Sequence, residues 1–362
     1  MLPLDYIIVY CNCHPLNPNK PLKTAVCVLE ISSAHLNQRL DNFLIRQLGD
    51  MPRARIYRII RKGEVRVNKK RCRPDYKLQI GDLVRIPPVR LEPEPPVKSG
   101  PPERLLKKLE QAVLYENDHV LIIDKPTGLA VHSGSGVDYG IIDAIRLLRP
   151  LSEIELVHRL DRDTSGCLML AKHRQSLLAM QAQLQDNLLI KNYRAMVQGN
   201  WPADLVEITY PLQKYHLANG ERRVRVNAGG KPACSRIRLL RGGTMFSIIQ
   251  VELVTGRTHQ IRVHCQAEGH AIAGDDKYGD AEFNRAMRQR GIRRLMLHAS
   301  SLELARSSYT PELVINAPLP AEFESLPDNQ GPIQITVNSQ TGSKDGGYRD
   351  RIKPAAPGRR RK

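Results

Sequence analysis

The sequence predicts an α+β protein in two parts: a small basic helical module, then a larger domain built on a mixed β-sheet with helices on its flanks. Three observations predict it. Two amphipathic helical stripes and an alternating strand fall within residues 38–87. A proline-rich stretch without periodicity follows, and apolar, strand-like runs resume near Ala112. A chain of 362 residues is long enough for each part to bury its own core. The net charge of +18, from 55 Lys and Arg against 37 Asp and Glu, favours nucleic acid or an anionic surface as partner. No apolar run approaches the roughly 20 residues that span a bilayer, which speaks against a membrane role. Residues 2–13 lack the basic flank and small-residue cleavage site of a signal peptide. Seven scattered cysteines suit reduced thiols and a cytoplasmic protein. Cys11, Cys13 and His14 sit together, but no second ligand pair follows at zinc spacing, so no metal is expected.

In the module, predicted over residues 31–90, Leu36, Leu40, Phe43, Leu44 and Leu48 form one helical stripe that Gly49 can end. Pro52 opens a second helix, with Ile56, Ile59 and Ile60 turned inward and Arg55, Arg58 and Lys62 on another face. Gly63 closes that helix, and residues 64–67 alternate as a strand. Residues 1–30 read as a flexible extension, and residues 91–111 as a semi-extended proline-rich linker. In the second domain, predicted over residues 112–327, residues 120–123 read as a buried strand that runs into a turn at residues 125–128. Past Asp328 the chain turns polar and ends on Arg359, Arg360, Arg361 and Lys362, a composition that predicts a basic disordered tail.

Chemistry concentrates in the run His158-Arg159-Leu160-Asp161-Arg162-Asp163-Thr164-Ser165-Gly166. A carboxylate beside arginines stays ionised in a partly dry pocket, because the positive charge offsets desolvation. A nucleophilic or acid–base aspartate needs that condition. The residues alone do not choose between Asp161 and Asp163. Downstream, Tyr193 combines an aromatic face with a hydroxyl. Residues 255–264 read as a turn at Gly256 followed by a helix, with Gly269 just past its end. His259 and His264, five apart, fall on different helical faces and make a poor metal pair.

In order and spacing these segments resemble the HRLDxxTSG and KPxGxxxH signatures of the RluA-type pseudouridine synthases. Such enzymes re-attach uracil to ribose through carbon instead of nitrogen. The resemblance spans residues 31–327 and implies a catalytic domain on a mixed, mostly antiparallel sheet. It implies Asp161 as the catalytic carboxylate, Tyr193 stacked on a flipped uracil, Arg262 paired with Asp161, and Arg159 filling the space that the base vacates. Leu297 would pack beneath the pocket, and residues 124–132 would act as scaffold. Arg257 and His259 would serve the fold or RNA binding. Attack by Asp161 on the ring or on the anomeric carbon stays open, and no cofactor or metal is implied.

The basic module is similar to the αL RNA-binding motif of a small-subunit ribosomal protein. That likeness implies that Arg55, Arg58, Lys62, Lys69 and Lys70 contact RNA phosphates, giving affinity and positioning rather than base choice. Residues 58–70, 81–89 and 274–280 resemble one bacterial branch of the family. The implied partner is 23S rRNA or a large-subunit assembly intermediate, bound by a monomer. Two rival readings exist. One is a non-catalytic RNA-binding ribosome-assembly factor. The other is an aspartic protease, suggested by Asp163-Thr164-Ser165-Gly166, but that chemistry needs two such aspartates sharing a proton and the chain has one copy of the motif.

Overall fold

The computed structural model describes residues 26–48, 51–88, 100–133 and 139–324. The first unit comprises β1 (Cys27–Glu30), α1 (Leu40–Gln47), α2 (Arg53–Arg61), β2 (Arg66–Val67) and β3 (Leu83–Ile86). Its strands form an antiparallel sheet in the order β1-β3-β2. Leu40, Phe43 and Leu44 from α1 meet Ile56, Ile59 and Ile60 from α2 over Val67 and Val84 of the sheet. The helical stripe is therefore real but longer than its helix: Leu36 and Leu48 lie just outside α1. A tight turn joins β2 to the following segment through Asn68 and Lys69, both at positive φ. Asn68 pins it by donating to Asp82 (2.7 Å) and accepting from the Leu83 amide (2.9 Å), so Lys69 and Lys70 are held exposed at its tip.

Two boundaries differ from the expectation. Residues 27–30 are a strand paired to β3 and not part of a flexible extension, because Cys27 and Leu29 pack against the module core. Residues 103–111 are a helix, α3 (Glu103–Gln111), and not linker. Pro102 sets its start, and Leu105, Leu106 and Leu109 lie on one face against the large domain, with Leu109 fully buried. The reason is local: three leucines at helical spacing outweigh the prolines that precede them. The expectations for Cys11, Cys13, His14, Gly49 and the basic tail fall outside the described residues.

After α3 come β4 (Val113–Glu116), β5 (Val120–Lys125), α4 (Ile141–Leu148), β6 (Glu155–Leu156), β7 (Ser165–Ala171), α5 (Arg174–Gln185), β8 (Leu189–Gln198) and β9 (Glu207–Ile208). A separate two-stranded ribbon, β10 (Leu212–His216) and β11 (Arg222–Val226), precedes β12 (Ser235–Arg241), β13 (Phe246–Leu253) and α6 (Gln260–Ala267). The domain finishes with α7 (Ala281–Gln289), β14 (Leu297–Leu304) and β15 (Leu313–Asn316). The main sheet runs β4-β5-β7-β14-β8-β13-β12-β9, with β15 on β14 and β6 on β7. Its pairings are antiparallel except β7 with β14, so the sheet is mixed and mostly antiparallel, as predicted.

Every residue of β7 is buried, as expected of a strand covered on both faces. The parallel β7–β14 contact requires Gly166. Its φ is 105°, and a Cβ there would lie 2.2 Å from the Ala299 carbonyl oxygen. This close approach brings the turn before β7 and the start of β14 to the same end of the sheet, where the site lies.

Candidate active site

Asp161 sits in the turn between β6 and β7, closed by the Thr164 amide donating to the Asp161 carbonyl (3.3 Å). A neighbouring segment holds that turn. Lys125, wholly buried at the end of β5, donates to the carbonyls of Pro126, Leu129 and Arg162 at 2.8–2.9 Å. Burial pushes its ammonium down to about 7, and the three carbonyl dipoles give it acceptors in place of water. Thr127 Oγ1 donates to the Asp163 carbonyl (2.7 Å).

The turn borders a cleft of about 600 Å³, within the usual range for a small-molecule site. Asp161, Arg159, Tyr193, Arg262 and Leu297 all line it. Asp163 does not; its carboxylate pairs with the adjacent Arg162 (3.3 Å). Tyr193 lies on β8 and Leu297 at the start of β14, one strand over, so the two form part of the cleft wall. Burial, reinforced by the charge of Asp161, raises the Tyr193 hydroxyl and keeps it protonated. Arg159 is exposed at the cleft rim.

Arg262 projects from α6, only 4% exposed, and its Nη1 lies 3.3 Å from Asp161 Oδ2. Its tighter partner is Asp275, which lies in the family-like segment 274–280 but was given no role by the sequence. Nε and Nη2 of Arg262 each donate to an Asp275 oxygen at 2.7 Å, a bidentate fork. Burial opposes the Arg262 charge, but the hydrogen bonds to Asp275 and the charge of Asp161 outweigh it and raise its pKa. Asp275 is held below its ordinary value: burial acts against ionisation, and Arg262 together with the Tyr278 and Lys277 amides reverses the balance.

The approach to α6 is fixed by one side chain. Gln260 accepts from Thr255 Oγ1 (2.7 Å) and the Arg257 amide (3.0 Å), and donates to the Cys234 carbonyl (2.8 Å) and Ser235 Oγ (3.0 Å). Its amide thereby uses both ends, and the helix begins at a set place. His259, just before it, takes left-handed backbone angles, with φ 53°. Its Nε2 lies 3.9 Å from Asp161 Oδ2 and its Nδ1 2.7 Å from the Tyr278 hydroxyl. That hydroxyl already accepts from the Val224 amide (2.9 Å), so its proton is free to go to Nδ1. The Nε2–H of His259 then faces the Asp161 carboxylate. Burial lowers the His259 pKa and the Asp161 charge opposes the shift. His259 thus faces Asp161 as well as supporting the fold. His264 packs elsewhere, between Ser235 Oγ and the Tyr210 carbonyl, both at 3.0 Å. Arg257 donates to the Pro232 carbonyl (2.9 Å) and lines the cleft.

Chemically, the cleft offers a carboxylate oriented by a buried guanidinium, an aromatic ring with a protonated hydroxyl, and an apolar floor. Arg55, Arg58, Lys62, Lys69 and Lys70 are not part of this cleft. Arg58, Lys62, Lys69 and Lys70 are exposed and Arg55 half-buried, along α2 and the turn after β2 of the first unit. The parts of Asp275 and Tyr278, and the facing of His259 toward Asp161, are not legible in the sequence because each depends on a contact with another segment. The signal in the sequence was the likeness of residues 274–280 to one branch of the family, which named the segment and not its part in the site.

A family model described as RNA pseudouridylate synthase matches residues 119–267, and one described as S4 domain matches residues 38–84. A ribosomal large subunit pseudouridine synthase C of Vibrio cholerae serotype O1 is 46% identical over 306 residues, 84% of this chain and 96% of that protein. Its counterpart in Pasteurella multocida is 45% identical over 308 residues, covering 85% and 94%. Among solved structures, human RNA pseudouridylate synthase domain containing 4 has a TM-score of 0.50 at 24% identity, over 61% of this chain and 93% of that one. This last likeness concerns the fold.

Proposed function

Because the chain belongs to the RNA pseudouridylate synthase family, we propose that it isomerises uridines to pseudouridine in the 23S rRNA of the large ribosomal subunit, with Asp161 as nucleophile. The observation that carries this reading is the Asp161 carboxylate at the cleft, 3.3 Å from the buried Arg262 guanidinium. A paired guanidinium orients a carboxylate toward the space it must attack, which a nucleophile needs. The target base leaves its stack, at a cost of a few kcal/mol, and its ring rests on Tyr193 above Leu297. Arg159, at the rim, occupies the gap left in the RNA. Asp161 bonds to C1′ as the N1–C1′ bond breaks, or first to the uracil ring; the base turns, C5 bonds to C1′, Asp161 is released, and the C5 proton is exchanged for one on N1. Substrate and product therefore have the same atoms.

The S4-type unit grips RNA phosphates through Arg55, Arg58, Lys62, Lys69 and Lys70. The protein works as a cytoplasmic monomer on free rRNA or an assembly intermediate. Among the described residues no helix is long and apolar enough to cross a membrane. A purely RNA-binding assembly role leaves the cleft and its buried ion pairs without a purpose.

The test uses the full chain and 23S rRNA transcribed in vitro, with pseudouridines mapped by carbodiimide adduct and primer extension. Wild type should produce stops at discrete uridines. Asp161→Asn should bind the RNA with wild-type affinity and produce none. Substantial turnover by Asp161→Asn removes the nucleophile assignment, and wild-type activity only on another RNA removes the 23S assignment.

A further inference from the structure

Lys191 is a largely buried basic residue of the cleft whose ammonium has no partner among the described residues. It lies on β8 two residues before Tyr193, so strand alternation puts both side chains on the same face of the sheet, and both line the cleft. The residue is 9% exposed, and among the described residues its ammonium has neither an acidic partner nor a hydrogen-bond acceptor. The other basic side chains of the cleft differ. Arg262 is held by Asp161 and Asp275, Arg257 donates to a carbonyl, and Arg159 is exposed to water. The group coupled to Lys191 is His158, which burial and the Lys191 charge hold neutral, down to about 3. No carboxylate there offsets the ammonium. The side chain is largely buried and its ammonium opens on the cleft, the space where substrate goes.

We propose that Lys191 is a further catalytic residue, donating a hydrogen bond to a ring carbonyl of the flipped uracil and offsetting the negative charge that gathers there. This rests on the proposed function above. A ring lying on Tyr193 presents its edge to the next residue along the same strand face, and the edge of uracil carries O2 and O4. When the N1–C1′ bond breaks, the electron pair leaves with the base, giving a uracil anion whose charge is shared by N1, O2 and O4. Formation of the C5–C1′ bond uses a ring pair; C5 then loses its proton and N1 gains one. If Asp161 adds to the ring first, the charge gathers on O4 instead. Either route loads a carbonyl oxygen, and Lys191 keeps its proton throughout. A donor fixed in a water-poor site at the place where charge develops acts on the transition state more than on binding.

The full chain carrying Lys191→Met, assayed in single turnover on in vitro 23S rRNA, should lose about 100-fold in rate. Its RNA Kd and the salt slope of binding should stay at wild-type values, and its Tm should equal or exceed the wild type, since a lone buried charge has gone. Lys191→Arg should recover part of the rate. An unchanged rate overturns the proposal. A weaker Kd with a salt slope reduced by about one assigns Lys191 to a phosphate and also overturns it, as does a rate loss that tracks a lowered Tm. Failure of the wild type to make pseudouridine overturns the functional reading instead.

Discussion

At the scale of single residues, the site turns on where two charges are held relative to each other. Arg262 touches Asp161 through one nitrogen at 3.3 Å, while its other two nitrogens are committed to Asp275 at 2.7 Å. Asp275 is thus a positioning residue: it fixes the guanidinium plane and leaves Nη1 for the cleft. Asp275→Asn should weaken the fork, release the guanidinium, and lower single-turnover rate by roughly 10- to 100-fold. Breaking a buried pair also costs about 3–5 kcal/mol of stability, so Tm should fall. The two effects separate in the assay: RNA-bound, folded Asp275→Asn still turns over slowly, whereas a purely structural role leaves the folded fraction at full rate. His259 and Tyr278 complete the frame around Asp161, His259 with Nε2 at 3.9 Å from the carboxylate and Tyr278 by its 2.7 Å hydrogen bond to His259 Nδ1.

Between elements, the large domain is joined at its sheet edge by a clasp on Glu116, the last residue of β4. Arg149, just past α4, forks onto Glu116 and Glu110 at 2.8–3.2 Å, and Lys172, after β7, donates to Glu116 at 2.9 Å. One carboxylate therefore ties two strands, and Arg149 adds two helices. The hydrogen bonds from Arg149, with the one from Lys172 and both positive charges, hold Glu116 down to about 2 against the cost of burial. Its folded pKa lies below its ordinary value of 4.5, so the clasp stabilises fully above about pH 4.5 and is lost as pH falls through 2. Glu116→Gln should lower Tm at neutral pH, and the gap from wild type should close on acidification toward pH 2, as followed by thermal melts. A gap that is constant with pH removes the charge from the explanation.

For the whole molecule, charge is divided between binding and chemistry. In the cleft Arg262 is paired with Asp161 and Asp275, while Arg58, Lys62, Lys69 and Lys70 of the first unit stay exposed. Arg46 of α1 reaches Glu153 (3.5 Å) and Glu155 (3.4 Å) of the large domain. Both pairs are partly solvated, and such pairs contribute about 0–1 kcal/mol each. If the first unit grips RNA phosphates, replacing Arg58, Lys62, Lys69 and Lys70 together by Ala should weaken RNA binding. It should also reduce the salt slope by about three to four, near 0.9 for each phosphate no longer neutralised. Single-turnover rate at saturating RNA should be unchanged. Filter binding at several salt concentrations, with the single-turnover assay beside it, measures both; an unchanged slope takes those four side chains off the RNA.

What was legible from the chain was whatever is encoded over short spans. Helical stripes such as Leu40, Phe43 and Leu44, the buried run at residues 120–123 of β5, and the turn motif around Asp161 are local patterns, because a side chain's face follows from backbone period alone. Together they determined the α+β class, the basic first unit and the segments that meet at the cleft. Local composition misled where two signals competed. Prolines hid α3, whose leucines find their partners on the large domain, and β1 looked like loose chain because its pairing strand lies more than 50 residues away. Tertiary structure decided what depends on proximity across the sequence. Asp275 sits 13 residues from Arg262 and 114 from Asp161, yet it sets the orientation of the guanidinium between them. Lys125 clamps a turn 37 residues away, and Lys191 stands without a partner only because no acid is folded beside it. Charges are readable from sequence; the distance, burial and desolvation that make them chemical exist only once the strands are packed.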